Sequence, residues 1–397
     1  MTPLSPLLRA RKTYAVIGAV GVLAVTAGIA QATRDDGGPK PPERPLALAV
    51  VDAAAHAPKI KGVSARIHFT NNLIPPGSLP AGGKSPLAAG ADGKLWLAHD
   101  GRFKVDLTSA DGDAQITSDG HRMTIYDSTS NTRYAFPTPA GITGGAGAGA
   151  GVAGAAPTAG MLAKLGPLLE QVNVSEAKPG TTAGRPSYTV RVSPKDDGGL
   201  LGAGELTWDA EQGMPLRAAV YAQGKDDPVL ELAVTEVAYG PVDDAQLAAT
   251  PHPDAKAVDL DQAAADDGAQ TSGHGRLGAA ADTADVQSHL RFPLAAPAEL
   301  AGLPRASVRL ADDGAHSGAV LTYGKGLGAI VVFEQPKPQN APLDGLPLPE
   351  VNIDGATGKE LPTALGTVVT FERDGVSYLI AGLVPPVAAE NAARELR

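Results

Sequence analysis

The chain has 397 residues, room for two or three folded units that each bury a core. Its 48 Gly and 34 Pro make it loop-rich without a fibrous period, and the absence of cysteine removes disulfides, thiolate catalysis, Cys-ligated metals and lipid attachment at a cysteine. Acidic residues outnumber basic ones by 43 to 33, and Arg9, Arg11 and Lys12 stand apart at the N-terminus, so the body lacks the cationic surface that phosphate backbones require and nucleic acid is not an expected partner.

The elements begin with a leader. Arg9-Ala-Arg-Lys12 precedes an uncharged apolar run, Thr13 to Ala30, and Ala30-Gln31-Ala32 supplies a small-x-small cleavage site. The run is also about as long as the shortest bilayer spans, so residues 1–32 read either as a cleaved signal peptide or as a retained anchor with a cytoplasmic N-terminus. Either way the body is expected outside the cytoplasm, secreted or tethered to the cytoplasmic membrane. Residues 33–45, with Pro39, Pro41, Pro42 and Pro45, form a stiff spacer.

Leu46 to Ala57 then predicts a short helix stopped by Pro58, with Leu46, Val50 and Ala53 on one face. From Val63 the period changes to two. Val63, Ala65, Ile67 and Phe69 alternate with polar residues, and strands follow at 94–97, 103–107, 114–117, 122–126 and 132–136. Asp92-Gly93, Asp100-Gly101, Asp111-Gly112 and Asp119-Gly120 are placed as the tight turns of an antiparallel meander. Residues 141–160 read as a flexible Gly/Ala connection, and 161–172 as a Leu-rich helical segment bent at Gly166-Pro167. Further strands are predicted at 187–193, 204–209, 216–222 and 230–237. A polar stretch, 254–288, reads as a linker to a second unit with strands at 307–310, 319–323, 329–334, 366–372 and 376–381 and a final amphipathic helix from Pro386. The order is not βαβ; runs of strands with a few helices predict antiparallel α+β units.

Chemistry-bearing motifs are sparse. Gly77 to Ser85 departs from phosphate-loop spacing by one residue and has Pro86 where a helix should start, and Gly149-Ala-Gly151-Val-Ala-Gly154 lies inside a Gly/Ala tract where any glycine pattern arises. No Gly-x-Ser-x-Gly elbow occurs. The eight histidines avoid the close spacings that aim two rings at one metal, so neither metal nor cofactor is expected. The acid pairs Asp196-Asp197, Asp226-Asp227, Asp243-Asp244 and Asp312-Asp313 sit in turn-like contexts and read as solvated. Apolar surface is the stronger signal. Ile67, Phe69, Trp96, Phe103, Val105, Leu107, Met123 and Ile125, assigned to the inward faces, need a cover, and the segments 46–54 and 162–169, with Leu162, Leu165 and Leu169, are the candidates. The result is either an ordinary core or a half-open cavity able to hold acyl chains.

The ordered set Lys94-Leu-Trp96-Leu, Phe103-Lys-Val-Asp-Leu107, Ala114 to Gly120, Met123-Thr-Ile-Tyr126-Asp127, Arg185-Pro-Ser-Tyr188, Leu206-Thr-Trp208-Asp209 and Gly213-Met-Pro215 resembles the LolA-like lipoprotein carriers, whose fold the sensor domain of RseB-type sigma-factor regulators shares. The resemblance covers residues 46–253. It implies an unclosed, curved antiparallel half-barrel with a helical lid over an apolar cavity for lipid or lipoprotein acyl chains, and no catalysis. Carriers of this kind place a basic residue after the Leu-Trp strand to hold the lid; here that place falls to His99, with Arg102 nearby. Residues 289–397 are similar to the C-terminal domains of two-domain RseB-like proteins, which implies an alternative role as an extracytoplasmic sensor that binds a membrane protein such as an anti-sigma factor or a transporter.

Overall fold

The computed structural model describes residues 38–56, 59–74, 85–138, 172–195, 199–259, 276–312, 317–337 and 348–396. The leader, the Gly/Ala tract and the segment carrying Leu162, Leu165 and Leu169 lie outside them. Among the described residues strands dominate and helices are few and short, arranged on two sheets.

The first sheet follows helix α1 (Leu46–His56). It contains β1 (Gly62–Asn71), β2 (Ala91–Ala98), β3 (Phe103–Ser109), β4 (Gly112–Ser118), β5 (Arg122–Asp127) and β6 (Thr132–Pro137), with the one-turn α2 (Pro86–Ala89) ahead of β2. It continues through β7 (Val172–Val174), β8 (Lys178–Thr182), β9 (Arg185–Pro194), β10 (Leu201–Asp209), β11 (Pro215–Ala222) and β12 (Pro228–Tyr239). After α3 (Asp244–Leu247) it closes its list with β13 (Lys256–Asp259). The spatial order is β13-β6-β5-β4-β3-β2-β1-β12-β11-β10-β9-β7, with β8 also on β9, so the sheet curls but its ends do not join. Strand β1 is the joint between the two meanders. It pairs antiparallel with β2 on one side and β12 on the other, with a bulge between Arg66 and Ile67.

Two sequence expectations are corrected here. Asp92-Gly93 is not a turn: both residues lie in β2, where Asp92 faces His68 and Gly93 faces Ile67, and a Cβ on Gly93 would strike the carbonyl of Asp106. The stretch 254–288 is not all linker. Lys256–Asp259 pairs with β6, and β14 (Arg276–Leu277) and α4 (Thr283–His289) belong to the second sheet. Polar composition concealed them, because strands at a sheet edge need not be apolar on either face.

The second sheet holds β14, β15 (Glu299–Leu300), β16 (Leu303–Asp312), β17 (Ser317–Tyr323), β18 (Ile330–Pro336), β19 (Glu350–Ile353), β20 (Ala356–Pro362), β21 (Thr367–Arg373) and β22 (Val376–Gly382). Its order is β14-β16-β17-β18-β22-β21-β20-β19, with β15 on β16. The hairpin β19–β20, unpredicted from sequence, turns at Asp354 and Gly355, both at positive φ. Helix α5 (Pro386–Glu395) places Ala389, Ala392 and Ala393 against Val369, Ile380 and Val332, the i, i+3, i+4 pattern of a helix face on a core. Backbone bonds from Leu200 to Leu383 (2.6 Å) and from Ala364 to Leu73 (2.9 Å) join loops of the two sheets.

Candidate ligand-binding face

Strand register decides which side chains share a face, since neighbours across a ladder point the same way. Ile67 faces Gly93 and Phe69 faces Ala91; Leu107 stands opposite Gly93, Val105 opposite Leu95 and Phe103 opposite Leu97. Val105 faces Ile116, which faces Ile125, while Phe103 faces Ser118, which faces Met123. Seven of the residues singled out from sequence on these strands therefore lie on one face. Through β12 and β11 the face continues with Val234, Leu232, Ala218 and Val220 to Leu206, Trp208, Val190 and Tyr188.

Trp96 does not belong to it. It pairs with Ser64 and Lys104, on the opposite side, where Lys104 Nζ sits 5.5 Å from the indole centroid. The run Leu95-Trp96-Leu97 is apolar on both faces, so alternation alone could not choose the register. The residues that do face inward from β2 are Leu95 and Leu97, and sequence reasoning also missed Ile116, Phe136 and Leu206. Counting along the chain does not find them, because the phase shifts at each hairpin; pairing each strand with the one before it across its turn brings Ile116 opposite Val105 and Phe136 opposite Met123.

Helix α1 covers one end of this face. Its Leu46, Ala49, Val50 and Ala53 pack on Tyr188, Val190 and Trp208, as the helical period predicts. Leu48 and Val51 are not part of that contact and are more than half exposed, and Leu206, on the sheet's apolar face, is 40% exposed. Toward β3–β6, Phe103, Val105, Leu95 and Leu97 are half-buried, whereas Ile67, Leu107, Met123 and Ile125 are buried. Described residues thus leave a continuous apolar face partly open to solvent, with one short helix on it.

His99 and Arg102 lie in the β2–β3 turn. His99 is exposed, and Arg102 Nε and Nη2 bind Asp100 (2.7 Å) and Asp244 (2.8 Å). Arg102 is thus engaged by its own turn and by α3. Burial opposes ionisation of Asp100, but the hydrogen bonds from Arg102 outweigh it and hold the carboxyl below its usual range.

The other side of the sheet is polar and ordered. Glu205 accepts from Arg191 (2.8 Å), Arg217 (3.2 Å) and the Tyr221 hydroxyl (3.0 Å); burial alone would raise its pKa, and these donors hold it low. Burial and the Glu205 charge push Tyr221 up to about 12. Glu231, 1% exposed, accepts the Thr70 hydroxyl at 3.1 Å, and burial pushes it up to about 7. Nearby, His68 Nδ1 meets Asp92 at 2.7 Å beside an open cleft of about 350 Å³ that Thr70, Thr108 and Ser109 also line. Among the described residues no group of three or more His, Asp or Glu is placed to hold a metal. No described helix is long and apolar enough to cross a membrane.

The class of fold is therefore an open, curled antiparallel sheet with a helix on its apolar face, followed by a smaller sheet with its own core. No family model and no curated protein matches the chain. Among solved structures it is similar to MucB in the Pseudomonas aeruginosa MucA/MucB complex (16% identity, TM-score 0.42, 87% of this chain and 95% of that one). It is similar also to MucB in a complex with MucA(peri) (16%, 0.40, 88% and 98%) and to a LolA superfamily protein of Nitrosomonas europaea (8%, 0.23, 52% and 98%). These are the two groups that the sequence motifs resemble.

Proposed function

We propose that this is an exported protein that acts by binding rather than by catalysis, taking the acyl chains of lipids or lipoproteins on the apolar face of its first sheet. The observation that supports this reading is the partly solvent-open run from Leu206 through Leu232 and Leu95 to Phe103. Transfer of a chain from water onto such a face yields about 0.8 kcal/mol per buried methylene and needs no polar contact along its length. His99, exposed in the β2–β3 turn, is available to a headgroup, whereas Arg102 is already held by Asp100 and Asp244.

Native mass spectrometry and organic extraction of the protein from its host's exported fraction test this directly. A stoichiometric acylated ligand, absent from a Val105→Asp or Ile125→Asp variant that keeps its circular dichroism, is expected. An empty wild-type protein, or undiminished ligand in both folded variants, overturns it.

A second reading is that the face senses such a ligand while the second sheet binds a membrane protein of the anti-sigma or transporter kind. It is favoured by the separate core around Leu321, Ile330 and Ile380 and by the backbone bonds that join the sheets at Leu200 and Ala364. Deletion of 289–397 that leaves every membrane-protein interaction intact would sink it.

A further inference from the structure

The segment from Asp244 to Asp259 crosses the polar side of β3–β6 as a strap. Asp244 binds Arg102; Gln115 donates to the Thr250 hydroxyl at 2.9 Å and accepts from the Thr250 amide at 2.8 Å. His252 lies flat on Tyr126, with ring centroids 3.6 Å apart and planes at 9°. Asn131 donates to the Asp254 carbonyl. Then β13 runs parallel to β6, Lys256 facing Thr132 through Asp259 facing Ala135, and Asp259 binds Arg122 at 3.0 Å.

Two features set this strap apart from the strands it touches. It is the only parallel pairing described in the sheet, four residues long, and parallel ladders are weaker per residue than antiparallel ones. None of its residues from Pro241 to Asp259 is buried, so no apolar anchor opposes its release. What it covers is nonetheless built: Gln115 and Lys104 beneath it are buried, and the β6 edge would otherwise present unpaired amides and carbonyls.

We propose that the β6 edge is a docking site for an extended, acidic peptide segment of a protein partner, and that the strap occupies it in cis as a displaceable stand-in. Strand addition supplies the main-chain bonds. The side chains define the rest: a carboxylate where Asp259 meets Arg122, a flat ring over Tyr126, and a hydrogen-bonding side chain at Gln115. Pro253 keeps His252 out of a helical conformation, and the chain turns directly after it, the Ala255 amide donating to the His252 carbonyl at 3.1 Å, before the extended run Lys256–Asp259. Because the strap leads to the second sheet, docking in trans frees that connection.

The chain has no cysteine, so a disulfide between Arg133→Cys and Ala257→Cys, two exposed residues directly opposite in the register, locks the strap without competing thiols. The probe is a synthetic peptide copying residues 248–260. On the full chain, Asp244→Ala/Thr250→Ala/His252→Ala is expected to bind it at least about tenfold tighter than wild type, and the oxidised Cys pair not at all until reduced. Equal binding to the locked and loosened chains, or none to the loosened chain, overturns the proposal. Hydrogen exchange on the unmodified protein is an independent check. Amides of 256–259 are expected to exchange at least about 100-fold faster than those of β4, and equal protection overturns a displaceable strap.

Discussion

Gly213 lies against Ala53: at φ +72° it brings the β10–β11 hairpin so close to helix α1 that a Cβ there would overlap the Ala53 carbonyl. The helix is thereby seated on Tyr188 and Trp208 by backbone contact as well as by side chains. Gly213→Ala is expected to cost at least about 1 kcal/mol, because the left-handed conformation and the lost space both oppose a side chain. Trp208 is buried beneath the helix and the chain has only one other Trp, so a red-shifted Trp208 emission in a Trp96→Phe background reports the lifted helix; unchanged emission and stability would refute this seating.

On the proposed reading, substitutions on the two faces of the first sheet have different consequences. Leu206→Asp changes a residue already 40% exposed and is expected to alter stability by no more than about 0.5 kcal/mol while weakening acyl-chain binding at least about tenfold. Trp96→Ala, on the other side, is expected to cost about 1 kcal/mol through lost contact with Lys104 and leave lipid uptake unchanged. Titration with a fluorescent fatty acid, alongside urea unfolding, distinguishes them. The opposite ranking would place the binding face wrongly.

Asp209 is fully buried and accepts from Arg185 (2.8 Å), the Tyr239 hydroxyl (2.8 Å) and the amides of Glu211 and Gln212. It ties β9, the β10–β11 hairpin and the end of β12 at one point, and burial followed by the Asp209 contact pushes Tyr239 far above its ordinary value. Asp209→Ala strands all of these donors. A loss of about 3–5 kcal/mol in urea unfolding is expected, and one below 1 kcal/mol would show that water replaces the carboxylate freely.

Glu334 gives the second sheet a pH dependence. It is fully buried; one carboxylate oxygen accepts from the Ala295 amide at 3.0 Å and the other has no hydrogen-bond partner among the described residues. Burial pushes it up to about 8 from 4.5. A raised folded pKa means that the folded state holds the proton more tightly. Its contribution is therefore fully present below pH 4.5 and is lost as pH rises through 8, a change on the order of 5 kcal/mol. Glu334→Gln is expected to flatten the dependence of thermal unfolding on pH across that window, and an unchanged slope would refute it.

Much of this architecture was legible in the chain. Alternation at Val63 to Phe69 and Phe103 to Leu107, and Asp-Gly turns at 100–101 and 119–120, determine the antiparallel meander because side-chain direction and turn chirality are local properties; at Asp111-Gly112 the turn falls one residue earlier and Gly112, in β4, already pairs with Ser109. The same local logic placed helix α1 and the final helix from Pro386. Tertiary structure alone decided three things. It assigned Trp96 to the polar side, since Leu95-Trp96-Leu97 is apolar in both registers and only pairing with Ser64 and Lys104 breaks the tie. It folded Lys256–Asp259 back onto β6, a contact between residues more than a hundred positions apart that no local pattern encodes. And it buried Glu231, Glu334 and Asp209, which in sequence look like any solvated acid, because burial is set by what the rest of the chain packs around a residue and not by its neighbours along it.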